Sequence, residues 1–182
     1  MSNFTVAASK RLTYALMDEA DAELLFELDQ DPEVMKYING GTPNSRETIE
    51  TVMVPRMLSY RNPLKGWGLW KVCVIETNQF IGWILVRPTD FFTDAPEWNN
   101  LELGWRFLQA SWGKGYCTEA ALHIANALSD CSEVKTLSAI ALPDNVASIS
   151  VMKKLGMRFV KTGLHRDPLG DSEVVYYQRQ LR

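Results

Sequence analysis

Leu101-Glu102-Leu103-Gly104-Trp105-Arg106-Phe107-Leu108, followed after three residues by Trp112-Gly113-Lys114-Gly115-Tyr116, is the stretch of this 182-residue sequence on which the fold turns. The first run alternates with period two: Leu101, Leu103, Trp105 and Phe107 share one face, and Glu102, Gly104 and Arg106 share the other. It predicts a central strand, with Gly104 marking a bulge or a close backbone approach. The second run joins that strand to a helix, because Cys117, Ala120, Ala121, Ile124 and Leu128 fall on one apolar helical stripe. Two glycines at such a junction let backbone N–H groups come close to a ligand, and the helix N-terminus favours an anion such as a phosphate, to which Lys114 adds a positive charge. A tight strand-to-helix turn accounts for the same glycines without any ligand.

Upstream, Arg11 to Met17 predicts a strand, and Asp18 with Asp21 three residues on predicts a helix start leading into Leu24, Leu25 and Leu28. That helix is expected to stop before Asp31-Pro32. Gly40-Gly41-Thr42-Pro43-Asn44 reads as a loop, with a second helix from Ser45 in which Pro55 is an awkward interior residue. Leu69 to Ile75 and Phe80 to Val86, separated by Glu76-Thr77-Asn78-Gln79, predict a hairpin. Downstream, Val134 to Leu142 predicts a strand, Asn145 to Leu155 a helix, and Arg158 to Leu164 and Glu173 to Gln180 two further strands around the turn Asp167-Pro168-Leu169-Gly170-Asp171. An antiparallel meander followed by alternating strands and helices describes an α+β fold in one domain, residues 1–182.

Composition removes several function classes. With 22 acidic against 19 basic residues the net charge is −3, and no basic patch stands out, so nucleic acid is not an expected partner. The longest uninterrupted apolar run, Phe80 to Val86, is far short of the roughly 18 residues that span a bilayer, and Met1-Ser2-Asn3-Phe4 lacks a basic leader, so no membrane association is expected and the cytosol is the default location. Cys73, Cys117 and Cys131 form neither a disulfide framework nor a zinc pattern and are expected to be small buried hydrophobes; no metal is expected. The sequence has two histidines and no H-E-x-x-H, G-x-S-x-G or G-x-G-x-x-G signature, which weakens metalloprotease, hydrolase and dinucleotide readings. Six tryptophans leave room for an aromatic interface, compatible with a homodimer.

Two further features bear on chemistry. Pro143-Asp144-Asn145-Val146-Ala147-Ser148 sits at the carboxyl end of the next strand, and loops at such ends are where ligands bind in open sheets. Asn145 is equally a good N-cap, and an Asn side chain can do both. Glu102, between two leucines, is either on a solvated face, in a salt bridge with Arg106, or held near a site.

Taken together, Glu102-Leu103-Gly104-Trp105, the run Trp112 to Ala120 and the run Asn145 to Met157 resemble the GNAT superfamily of N-acetyltransferases, and within it the RimJ/RimL branch of ribosomal-protein N-terminal acetyltransferases. Arg11-Leu12-Thr13-Tyr14, Asp31-Pro32-Glu33-Val34-Met35 and Phe80-Ile81-Gly82-Trp83 extend the resemblance over nearly the whole chain. The resemblance implies a central mixed, mostly antiparallel twisted sheet of about six to seven strands flanked by about four helices, with acetyl-CoA as co-substrate and a primary amine as acceptor, in this branch a protein N-terminus such as that of a ribosomal protein. Small-molecule amine acetylation and a non-catalytic CoA-binding module are the alternatives.

By the same resemblance the pyrophosphate rests on the amides of Trp112, Gly113, Lys114, Gly115 and Tyr116. Backbone groups around Leu103, Trp105 and Phe107 orient the pantetheine arm, Asn145 contacts its end, and Ser148 faces the sulfur. Glu102 is the expected base, acting directly or through water. Two positions depart from the superfamily pattern: Ala110 stands where Arg or Gln is usual, and Met152 stands where many relatives carry a tyrosine acid. Methionine cannot donate a proton, which leaves Ser148 as the candidate donor, with Tyr116 or solvent as alternatives; a first-turn serine bonding its own backbone is the competing account of Ser148.

Overall fold

The protein was analysed as a computed structural model, which describes residues 2–181. Strands β1 (Leu12–Leu16), β2 (Gly68–Val74), β3 (Phe80–Thr89), β4 (Glu97–Phe107), β5 (Thr136–Ala141), β6 (Arg158–His165) and β7 (Ser172–Gln180) form one sheet in the order β1-β2-β3-β4-β5-β7-β6. Every neighbouring pair is antiparallel except β4 and β5. The expected mixed α+β sheet is therefore present, with seven strands.

Among the described residues the helices number five rather than about four. Asp18 and Asp21 cap each other's backbone as expected, and the chain passes through a short 3-10 turn into α1 (Ala22–Leu28). The additional helix is α2 (Pro32–Asn39), which begins where the sequence predicts only a stop. Asp31 accepts from the Glu33 amide, Pro32 occupies the first helical position, where its missing N–H costs nothing, and Gly40 closes the helix in the left-handed conformation. Ser45 caps a third helix that runs through α3 (Arg46–Thr48), a π-helical turn (Ile49–Met53) and α4 (Val54–Tyr60). The π turn resolves the awkward proline: the Val54 amide reaches back five residues to the Ile49 carbonyl, and this wider turn precedes Pro55, whose ring would crowd a regular α turn. On the other side of the sheet lie α5 (Tyr116–Ser129) and α6 (Val146–Lys154).

Two cores result, one per face. Leu101, Leu103 and Phe107 of β4 pack with Ala120, Ala121, Ile124 and Leu128 of α5 and with Met152 of α6. Leu69 and Leu85 pack with Leu25, Ile49, Met57 and Tyr60 from α1 and the third helix. Gly104 marks a close approach rather than a bulge. It pairs with Leu85 in unbroken register, and a Cβ there would lie 3.3 Å from the Leu85 side chain. The β3–β4 irregularity falls instead at Pro88/Thr89, which lets β4 begin at Glu97, ahead of the expected Leu101.

The cysteines are half-buried rather than fully buried residues, and burial pushes the Cys73 and Cys117 thiols above their usual value. Among the described residues no helix is long and apolar enough to cross a membrane.

The feature that positions a site is the junction of β4 and β5. They pair over three residues only, Asn100 with Thr136, Leu101 with Leu137 and Glu102 with Ser138. Beyond Glu102, β4 keeps β3 alone as its neighbour and β5 keeps β7 alone, so the two strands part.

Candidate active site

A cleft of 510 Å³ lies at this parting. Trp105, Arg106 and Phe107 of β4 form one wall; the glycine loop with the start of α5, and Asn145 with Ser148 at the start of α6, form others. The fourth wall is the helix missed from sequence: α2 contributes Tyr37 and Ile38. Its local signal was available, since Asp31-Pro32 is as good a beginning as an end.

The glycine loop combines two left-handed glycines with an uncapped helix start. Gly113 and Gly115 have φ of 72° and 77°, a region that residues with a Cβ adopt at a cost, and nothing lies within 4 Å of where a Gly113 Cβ would be. Gly115 is the N-cap of α5 and supplies no side-chain acceptor, so the first-turn amides of a 14-residue helix lack the usual cap and carry the positive end of the helix dipole. The loop is held from below by Arg11, a residue that sequence reasoning did not single out for a site role. Its Nη1 donates to the Lys114 carbonyl at 2.9 Å, its guanidinium lies 4.3 Å from the Tyr116 ring centroid, and its Nε pairs with Glu119 at 2.6 Å. Trp112 Nε1 donates to the Phe107 carbonyl at 2.9 Å, tying the loop to the end of β4.

At α6 the Asn145 side chain accepts from the Ser148 amide at 3.2 Å, so the capping role is present. Ser148 Oγ accepts from Trp105 Nε1 at 3.2 Å across the parting of the strands. Because the hydroxyl is the acceptor in that bond, its own proton is free for another partner. Met152 is buried in the core beneath α6 and presents no proton to the cleft.

Of the residues expected to meet a cofactor, Trp105, Phe107, Trp112, Gly113, Gly115, Tyr116, Asn145 and Ser148 line the cleft. Leu103 and Lys114 do not: the Leu103 side chain is in the core under α5, and Lys114 meets the site region through its carbonyl, held by Arg11.

Glu102 also lies outside the cleft lining, on the other face of β4, and it is neither solvated nor paired with Arg106. It is buried and faces Arg87 on β3, whose Nε and Nη2 reach its two oxygens at 3.1 and 3.4 Å. Arg106 pairs instead with buried Asp29 at 2.7 Å, and Asn44 donates to the second Asp29 oxygen at 2.8 Å, locking the segment before α2 onto the sheet. Burial works against the Arg87 charge, but Glu102 outweighs it and holds the guanidinium above its usual value. Tyr60 of α4 stands over the pair, and burial pushes its phenol up to about 12.

The match to known proteins agrees with this geometry. The family described as acetyltransferase (GNAT) domain matches residues 11–158. A protein of uncharacterised function from Bacillus subtilis strain 168, YkkB, is 31% identical over 165 residues, covering 89% of this chain and 90% of its own. RimL, a ribosomal L7/L12 alpha-N-protein acetyltransferase solved with coenzyme A, shares the fold with a TM-score of 0.73 at 13% identity, over 96% of this chain and 97% of that one. An aminoglycoside acetyltransferase, AAC(6')-Ib, also solved with coenzyme A, does so with a TM-score of 0.72 at 16% identity, over 93% and 94%.

Proposed function

This chain belongs to the GNAT acetyltransferase family, and from that premise we propose that it moves the acetyl group of acetyl-CoA onto the α-amine of a protein or peptide N-terminus. The observation that carries the donor half is the uncapped start of α5, with two left-handed glycines, opening into the gap between β4 and β5. Backbone N–H groups there receive the pyrophosphate of coenzyme A, the ligand with which the alpha-N-protein and aminoglycoside enzymes of this fold were solved. The gap beside Trp105 to Phe107 takes the extended pantetheine arm, and Asn145 is placed at its end.

The acceptor half rests on the opposite face. Register puts Glu102, Ser138 and Gln178 on one face across β4, β5 and β7, with Tyr176 two residues along, and β6 beyond them is exposed along most of its length. A polar strip that runs from the exposed edge strand β6 inward to mid-sheet suits an extended peptide whose amine ends beside Glu102. In the transfer Glu102 takes the ammonium proton, directly or through water, the neutral amine attacks the thioester carbonyl, and β4 backbone amides stabilise the oxyanion. The carbon–sulfur bond then breaks as the attacking nitrogen releases its second proton to solvent, and Ser148, fixed by Trp105, gives its free proton to the leaving thiolate and regains one from solvent.

Thiol release from acetyl-CoA, measured with N-terminal peptides, polyamines and aminoglycosides in parallel, tests the proposal. Turnover with peptides is the expected result; turnover with small amines alone overturns the acceptor, and none with any acceptor overturns the activity. Glu102→Gln is expected to lower kcat by about 100-fold while leaving acetyl-CoA affinity unchanged, and an unaltered kcat removes the proton role.

A further inference from the structure

We infer that Arg87 is a positioning residue for the transfer, holding the Glu102 carboxylate in the orientation from which it accepts the proton of the incoming amine; this rests on the proton role given to Glu102 above. The two residues are direct cross-strand partners, Arg87 on β3 opposite Glu102 on β4, so the sheet itself sets their separation. The guanidinium addresses both carboxylate oxygens, at 3.1 and 3.4 Å, with both side chains under 10% exposed.

The guanidinium is fixed in turn by two rings, Tyr60 at 5.4 Å from α4 and Phe92 at 5.3 Å from the β3–β4 connection. A pair caged in this way cannot rotate with its long side chains, and the carboxylate inherits one orientation.

The arrangement is not what stability alone would select. Replacing a buried ion pair by apolar residues of like volume is commonly neutral or stabilising, so a carboxylate and a guanidinium kept together under aromatic rings need another reason to be there. An ionised carboxylate offers about four lone-pair sites, and Arg87 occupies two. Among the described residues no other side chain donates to Glu102, so two remain for a water or an ammonium. The face on which they remain is the one that carries Tyr176 and Ser138.

The test is a double-mutant cycle on the full chain, with Arg87→Met, Arg87→Lys, Glu102→Gln and the Arg87→Met/Glu102→Gln double variant, reading kcat and the KM for acetyl-CoA separately. Arg87→Met is expected to lower kcat by more than about tenfold with that KM within about twofold, Arg87→Lys to recover part of the loss, and Arg87→Met to cost less than about twofold once Glu102 is already Gln. An equal loss in both backgrounds, a loss confined to KM, or an unchanged kcat overturns the inference. Sensitivity to Glu102→Gln without sensitivity to Arg87 refutes positioning alone, whereas insensitivity to Glu102→Gln refutes the proton role on which it rests. Should Arg87→Met fail to fold, Arg87→Lys, which keeps the charge without the two-pronged fork, is compared in the same two backgrounds; a kcat equal to that of the parent in each background overturns positioning, and a loss seen only with Glu102 present upholds it.

Discussion

Two helices begin at the same cleft and begin differently. α6 starts as helices usually do, with the Asn145 side chain accepting from the third amide of the turn. The longer α5 starts behind a left-handed glycine with no side-chain acceptor at all. Asp18 caps the 3-10 turn that leads into α1, and Asp31, Ser45 and Asn145 cap α2, the third helix and α6, so the uncapped start of α5 is informative. On the proposed function the first-turn amides of α5 are left for the cofactor, whereas at α6 the chain itself takes up the Ser148 amide. The proposed function accordingly assigns the charged ligand group to α5 and a neutral one to α6, where the Asn145 amide group still has donors to offer.

The strongest way to break that contrast is to put a negative charge in the glycine loop ahead of α5, away from the Glu119 carboxylate that Arg11 already neutralises. Gly113→Asp keeps a residue that tolerates the left-handed region, and nothing crowds its Cβ, so the melting temperature is expected to hold. CoA affinity by calorimetry is expected to fall by about 100-fold, or about 2.8 kcal/mol; a loss under threefold contradicts the anion role. At α6 the two functions of one side chain can be separated. Asn145→Ala is expected to cost about 1 kcal/mol in urea unfolding through the lost cap, whereas Asn145→Asp keeps the acceptor and the stability but removes the donors. If CoA binds both variants equally weakly, by about tenfold, the donor is what the ligand uses; unchanged binding to Asn145→Asp confines Asn145 to capping.

The smallest effect concerns the base of α5. Burial works to raise the Glu119 carboxyl, but hydrogen bonds from the Arg11 backbone and side chain and from Ser9 outweigh it and hold the group below its usual 4.5. A carboxyl depressed in the folded state contributes stability that is fully present above its unfolded value and is lost as the pH falls through the lower folded value. Urea midpoints followed downward from pH 5 should therefore decline more steeply for the parent than for Glu119→Gln. Parallel slopes would detach this ion pair from the support of the loop.

The strand, glycine loop and helix from Leu101 to Leu128 were legible because their signals are local: period two, two glycines and an apolar stripe. Asn145 as a cap was legible for the same reason. α2 was hidden because Asp31-Pro32 ends one helix and starts the next within three residues of Leu28, and a single boundary signal covers both. The partner of Glu102 was misjudged for a geometric reason. Arg106 shares its face but lies four residues along an extended strand, about 13 Å away, while Arg87 is directly across the ladder and fifteen residues away in the chain. Arg11 was out of reach altogether, since its partner Glu119 is 108 residues distant and nothing in either neighbourhood points to the other.

The three residue pairs joining β4 to β5 have a mechanical meaning. They are the hydrogen-bonded seam between two plates, one of four strands and one of three, and past that seam each plate presents a bare backbone edge to the other. On the proposed function the pantetheine arm laid between those edges would lengthen the seam, making the bound donor a structural member of the enzyme. On that reading, stability measured without the donor describes a looser body than the one that performs the transfer, and at a ligand concentration 100 times its dissociation constant the difference is about 2.7 kcal/mol.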